Sequence, residues 1–419
     1  MPRDEREGRP RRAIVLSGGG ARGAYEAGVL RYLLETFPQR TGLDVHFDLV
    51  SGTSVGAIHA CFLAATAHLD PSDRGQRLTQ IWENLHVDHV FRFSGSDLIG
   101  LPRKIIGLRR MSEQLRAGQR PDRLFGLLDT RPLEQLVLRS IPWDSLRRNL
   151  KEGLLDTLCV ATTQIATGRA VVFVERSEPG LPPWADQTHI RMQAIRMLPV
   201  HALASAAIPI LFPAVRIGAR YYADGGLRLS TPLTPAVRMG ANRVLVVGLS
   251  QGIPNDIDES LAQQRTAGFG NPMYLFGKVL NSLLLSPIDA DIARMHFINH
   301  IIDSGRETWG ETFLDELNAT SALQGGRPIQ KIHDLVIRPS VDLGMIAGDV
   351  LSSGQLQLSP FLRLFLKAFG SGDGPNEADL LSYLLFDTQY ARPLAELGYA
   401  DAESHQEELT RFFSDEPMD

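Results

Sequence analysis

Ala13-Ile-Val-Leu-Ser-Gly-Gly-Gly-Ala-Arg-Gly23 and, further on, Phe47-Asp-Leu-Val-Ser-Gly-Thr-Ser-Val-Gly56 share one grammar. Each is a short apolar run that breaks on glycine and reopens as a helical pattern. Strand, tight turn and helix, written twice, are the opening of an α/β fold with a largely parallel sheet. The first strand is read over 13–17, its helix over 24–37, and the second strand over 47–50. After the second turn, Ile58, Cys61, Phe62 and Ala65 recur at three-to-four spacing, the mark of a helix with one buried face.

Outward from these units, residues 1–12 form a charged arm expected to be disordered, and one α/β domain is expected over 13–252. Residues 71–151 turn helical and irregular, as an insertion does. Strands return at 157–165 and 170–175, followed by Pro209-Ile-Leu-Phe-Pro213, a strand pair over 215–222, the turn Asp224-Gly-Gly226 and a strand at 243–249. Residues 253–419 read as mostly helical, over 273–285, 288–302, 358–369 and 380–397, with one strand-like piece at 334–337. Pattern alone leaves open whether this third is a separate helical domain or packs onto the sheet.

A chain of 419 residues with 43% hydrophobic and 22% charged residues has the composition of a globular protein with a sizeable core. A net charge of −5 gives no reason to expect nucleic acid as a partner. The two cysteines, Cys61 and Cys159, support neither a disulfide framework nor a thiolate zinc site. The apolar run 13–16 is shorter than a signal-peptide core of ~7–15 residues. No run reaches the ~18 apolar residues of a membrane span, so a cytoplasmic protein, or one peripheral at a membrane, is expected.

Gly18-Gly-Gly-Ala-Arg-Gly23 leaves backbone N–H groups unpaired beside a positive helix end, which makes the turn an anion site. Through Gly18, Gly20 and Gly23 it also satisfies the dinucleotide fingerprint G-x-G-x-x-G. That reading needs an acidic residue at the end of the second strand to hold a ribose hydroxyl. Asp44 has about the right separation but precedes the strand, and the strand ends in a second sharp turn that a nucleotide site does not use. A dinucleotide-binding oxidoreductase is the remotest of the readings.

The second turn, Gly52-Thr-Ser-Val-Gly56, is G-x-S-x-G between a strand and a helix. Gly52 and Gly56 permit the cramped nucleophile elbow that holds the Ser54 hydroxyl clear of the backbone at a helix N-terminus. A serine hydroxyl needs a base, and the oxyanion made by its attack on an ester needs preplaced donors. The turn Gly18 to Gly20 supplies donors, and parallel neighbouring strands bring both turns to one carboxyl edge of the sheet.

A hydrolase triad would place a histidine in a turn after a late strand. His59, His68, His86, His89, His189, His201, His296, His300, His333 and His405 all lie outside such a Gly/Pro-framed turn and read as surface or satisfied core residues. His296 with His300, and His86 with His89, lack the glutamate of a metal motif, so no metal is expected. Asp224 does follow a strand, and Gly225 and Gly226 let its backbone approach another segment closely. A carboxylate touching Ser54 in a dry site can act as base without histidine. The same residues also suit a plain Asp-Gly hairpin.

Ser17-Gly-Gly-Gly-Ala-Arg-Gly23, the G-x-S-x-G turn, Ala204-Ser-Ala-Ala-Ile-Pro-Ile-Leu-Phe-Pro213 and Asp224-Gly-Gly226, in that order, resemble the patatin-like phospholipase family over roughly 13–250, in a bacterial form. The resemblance implies a patatin-like three-layer α/β/α sandwich, with a largely parallel central sheet and a mostly helical C-terminal extension. It implies a Ser54–Asp224 dyad and an oxyanion hole matched by Gly18, Gly19, Gly20 and Arg22. It also implies hydrolysis of fatty acyl esters, in phospholipids, lysophospholipids or neutral lipids, without metal or cofactor.

A lipid transacylase or thioesterase on the same dyad is the enzymatic alternative. A catalytically silent lipid-binding regulatory protein is the alternative from another class, and the presence of both Ser54 and Asp224 favours an enzyme. Residues 98–111 mix basic with large apolar side chains, which suits a peripheral membrane contact or, equally, a core-packed segment with a solvated basic side.

Overall fold

Strand β1 (Arg12–Leu16) is buried along its whole length, as its unbroken apolar run requires of a central parallel strand. In this computed structural model, which describes residues 9–92, 121–124, 126–186, 189–251, 288–323, 327–353, 356 and 378–414, β1 sits inside a nine-stranded sheet. The stretch 98–111 and the expected helices at 273–285 and 358–369 lie outside the described residues. β1 pairs in parallel with β2 (Leu49–Thr53) and with β8 (Arg243–Val247). Beyond β2 lies β3 (Thr157–Gln164), parallel to it, then β4 (Ala170–Arg176), antiparallel to β3, then β5 (Ile190–Ala194), parallel to β4. On the far side β9 (His333–Ile337) runs parallel to β8. A hairpin of β6 (Val215–Ile217) and β7 (Arg220–Asp224) joins through β7, which pairs antiparallel with β3.

Alternation within the buried strands divides the core in two. Ile14, Leu16 and Val50 face the layer that holds α1 (Gly23–Arg31) and α2 (Val55–Ala65). Ala13, Val15 and Leu49 face the other side, with Leu233 and Ala236 of a short helix (Leu233–Arg238) and Ile292 and Met295 of the long helix Asp289–Trp309. The result is the α/β/α sandwich that the resemblance implies, on a mixed but mostly parallel sheet.

The described parts of the 71–151 stretch are built into the first layer. α3 (Pro71–Glu83), α4 (Arg131–Ser140) and α5 (Trp143–Lys151) contribute Leu78, Trp82, Leu133, Val137, Leu146 and Leu150 to the same core as α1 and α2. Asn149 of α5 donates from Nδ2 to the carbonyls of Ala64 and Ala65, at 2.8 and 2.9 Å, and so satisfies acceptors that the end of α2 leaves over.

The described parts of the C-terminal third pack onto the sheet and its helices. Besides β9, it supplies a helix (Thr388–Ser404) that lies along α1 so closely that a Cβ on Gly28 would strike the Ala395 carbonyl, and one on Gly398 the Tyr25 carbonyl. Tyr25 donates from its hydroxyl to Asp401 across this contact, at 2.9 Å. Arg12, expected at the end of the arm, is instead the first residue of β1 and is buried. Its guanidinium, with that of Arg243, bonds the carbonyls of Phe412 and Phe413 where the helix Gln406–Phe413 ends. Cations suit that helix end. Among the described residues no helix is long and apolar enough to cross a membrane.

Candidate active site

β3 acts as the ruler that brings two distant residues together. β2 runs along one edge of β3 and ends with Thr53 opposite Ala161. β4 occupies the other edge, so β7 takes over on the β2 side, with Asp224 opposite Thr162, the next residue of β3. Ser54 follows Thr53 where β2 stops, and Asp224 is where β7 stops. The two strand ends therefore meet head to head.

At that junction Ser54 has φ 55° and ψ −123°, a conformation that side-chain-bearing residues avoid and that costs of order 1–3 kcal/mol. The flanking glycines make the turn possible. A Cβ on Gly52 would collide with the Gly56 carbonyl, and one on Gly56 with the Leu16 carbonyl of β1. The helix Pro199–Ser205 and the residues after it fasten both strand ends. The Ser54 N–H donates to Ser205 Oγ at 2.9 Å, Ser205 Oγ donates to the Ala161 carbonyl at 2.6 Å, and the Asp224 N–H donates to the Ala207 carbonyl at 2.9 Å. Thr53 adds a 2.6 Å hydroxyl bond to the Leu229 carbonyl beyond the aspartate turn.

Asp224 is almost fully buried. Oδ1 accepts from the Gly226 N–H at 2.7 Å. Oδ2 is buried with no hydrogen bond of ordinary geometry, although the Ser54 hydroxyl is close enough to favour the charged carboxylate. Burial outweighs both neighbours and pushes the carboxyl up to about 7. A carboxylate half-ionised at neutral pH and facing a serine hydroxyl is equipped to exchange a proton with it.

Gly18, Gly19, Gly20, Ser54, Ile208, Asp224, Gly226 and Tyr383 line one narrow crevice. Gly18 packs so near Ser54 that an added Cβ would lie 3.1 Å from the serine Cβ. Its amide is already committed, at 2.9 Å, to the Ser230 carbonyl. Among the described residues, the amides of Gly19 and Gly20 donate to no protein acceptor. Arg22, expected beside these donors, turns elsewhere. Its Nε donates to Ser382 Oγ at 2.8 Å and its guanidinium covers the Tyr383 ring at 4.6 Å from the centroid. This buried arginine anchors the helix Ala378–Leu384, whose Tyr383 lines the crevice.

No histidine lines the crevice. His59 is a satisfied core residue: Trp82 Nε1 donates to its Nε2 at 3.0 Å, which leaves Nδ1 as the donor to Glu26 at 2.8 Å. His296 pairs with Asp334 at 2.8 Å. Ser205, Ala207 and Tyr383 are the site-shaping residues that the sequence reading did not assign. The first two fall in the 204–213 segment, whose resemblance was their one signal.

A patatin-like phospholipase family model matches residues 14–237, more than half of the chain. The chain belongs to the patatin-like phospholipase family. This patatin-like chain is 29% identical over 219 residues to a cGAMP-activated phospholipase of Pseudomonas aeruginosa (strain BWHPSA011 / Pa011), a stretch that is 52% of this chain and 53% of the relative. It thus spans about half the length of that relative. Among solved structures, human GIVD cytosolic phospholipase A2 overlays with a TM-score of 0.41 at 14% identity, over 99% of this chain and 60% of the other. VipD from Legionella pneumophila overlays with a TM-score of 0.32 at 16% identity, over 90% of this chain and 67% of the other.

Proposed function

We propose that this patatin-like chain is a serine lipid acyl hydrolase, of phospholipase A or lysophospholipase type, working through an acyl-Ser54 intermediate. One observation carries the reading: a strained serine faces a buried carboxyl held near neutrality, in a crevice that no histidine lines. Asp224 takes the proton from Ser54 Oγ as that oxygen attacks the ester carbonyl. The Gly19 and Gly20 amides stabilise the oxyanion, since the Gly18 amide is spent on Ser230. Asp224 passes its proton to the departing alcohol, then takes one from the water that attacks the acyl-serine and returns it to Ser54 Oγ as the fatty acid leaves.

Incubation with a fatty acyl phospholipid and analysis of the products tests the reading. Free fatty acid released by the native chain, and none by Ser54→Ala, is the expected result. Transfer of the acyl group to an added alcohol in place of water would make the chain a transacylase. Release of nothing by a folded native chain would make it a lipid binder.

A further inference from the structure

Past the end of β3 the chain turns back into β4 through Thr167-Gly-Arg169, beyond the sheet edge at which β2 gives way to Ser54. Bonds of its own fix this turn. The Gly168 N–H donates to the Gln164 carbonyl at 2.8 Å, and the Thr167 hydroxyl donates to Gln164 Oε1 at 3.0 Å. Gly168 has φ 64°, and a Cβ there would stand 3.3 Å from Arg228 Nη2. The Arg228 guanidinium therefore lies on the turn, against the residue that precedes Arg169.

Both arginines line a groove of about 630 Å³ that shares no lining residue with the Ser54 crevice. Its apolar wall, Ile190 and Leu229, belongs to the core on the side of the sheet away from α1 and α2. Asp291 is the one acid among the described walls, and it stands 3.8 Å from Arg294, which lines the groove as well. Among the described residues, Arg169 and Arg228 meet no carboxylate at ion-pair distance, in a chain whose net charge is −5. Two like charges held side by side repel until an anion spans them. Guanidinium groups match the oxygens of phosphate in charge and in fork geometry. A groove of this volume accommodates an organic molecule and is far larger than a simple ion needs.

We propose that this groove is a second binding site, for the phosphate group of an organic phosphate ester, and that Arg169 and Arg228 hold that phosphate between them. The ester is either a soluble molecule or a phospholipid headgroup presented by a bilayer, and the recognition chemistry is the same for both. Binding here does not depend on Ser54 reacting, so it is measured without turnover and stands apart from the hydrolase reading.

Calorimetric titration with pyrophosphate, and sedimentation with phosphatidylcholine vesicles carrying phosphatidic acid, test the site in a Ser54→Ala background that leaves the vesicles intact. Arg169→Gln with Arg228→Gln should weaken whichever binding the parent chain shows at least tenfold. Arg77→Gln with Arg139→Gln removes the same charge from exposed positions on α3 and α4, and should leave binding as it is. Pyrophosphate binding without vesicle capture makes the ligand a soluble ester. Vesicle capture that pyrophosphate competes away, or that occurs without pyrophosphate binding, makes it a headgroup. Both side chains are exposed, so the double variant should fold; if it does not, Arg169→Gln alone is read in the same two assays. Equal losses in the two double variants, no loss in either, or no binding by the parent chain in both assays overturns the site.

Discussion

Replacing Asp224 by Asn should abolish most activity and at the same time strengthen the fold. Burial raises the carboxyl from 3.8 to about 7, so between these pH values the folded chain holds a proton that the unfolded chain has released. Below pH 4 both states are protonated and burial of the acid costs no ionisation energy. As pH climbs the native state is increasingly penalised, and above about 7 the penalty is complete at about 4 kcal/mol. Asn is neutral throughout and carries no such penalty, and its amide can donate to Ser54 Oγ where Oδ2 now lacks an aligned partner. For a chain of this length, 4 kcal/mol corresponds to a rise in Tm of roughly 4–5 °C. Calorimetry of native and variant chains at pH 5 and pH 8 should find Asp224→Asn more stable, with the larger gain at pH 8. Acylation should meanwhile fall by ~10²-fold or more, the lower end of what a positioned base contributes. A variant less stable than the native chain at pH 8, by an amount that does not change with pH, would mean that Asp224 is an ordinary satisfied carboxylate and not a poised base.

The same raised carboxyl sets the pH profile, because the base works only when charged: kcat/KM for a soluble short-chain ester should rise through about pH 7 and level above it, and a profile flat from pH 5 to 9 contradicts the assignment. Ser205→Ala removes the acceptor for the buried Ser54 N–H and should cost about 1–3 kcal/mol of stability by denaturant unfolding, with a drop in turnover. Unchanged turnover would show that the elbow holds its shape without that clamp. If 98–111 is a peripheral membrane contact, Gln at Arg103, Lys104, Arg109 and Arg110 should weaken sedimentation with anionic vesicles while sparing soluble esters. Unchanged sedimentation would return that stretch to a packing role.

Sequence reading succeeded where sterics write directly into residue type. Gly52 and Gly56 are glycines because carbonyls lie where their Cβ atoms would be, so the elbow was legible from G-x-S-x-G and its strand-to-helix setting. The meeting of Ser54 with Asp224 has no such local mark. It follows from β7 pairing with β3 one residue beyond the end of β2, a register that no short pattern encodes; the Asp-Gly-Gly turn after a strand made Asp224 a candidate, equally a plain hairpin, and the resemblance favoured it as the base. The glycine turn was legible as a donor site, but not which amides are spent: Gly18 is satisfied by Ser230, which comes from the far side of the aspartate turn. Arg22 shows the limit of carrying a motif over by position, since its partner Ser382 lies in the C-terminal third, where no motif was read. The 71–151 stretch looked inserted because its periodicity is irregular. Even so, Trp82, Val137 and Leu150 bury themselves in the layer against α1 and α2. β9 was legible as a strand from its apolar run, and its place at the sheet edge beside β8 was not.

The most direct test is to react the native chain with a fluorophosphonate and map the modified peptide by mass spectrometry. A single adduct on Ser54 is expected, absent from Ser54→Ala and formed at least ~10²-fold more slowly by folded Asp224→Asn. An adduct on another serine, persistence of labelling in Ser54→Ala, or an undiminished labelling rate in Asp224→Asn would contradict the Ser54–Asp224 site.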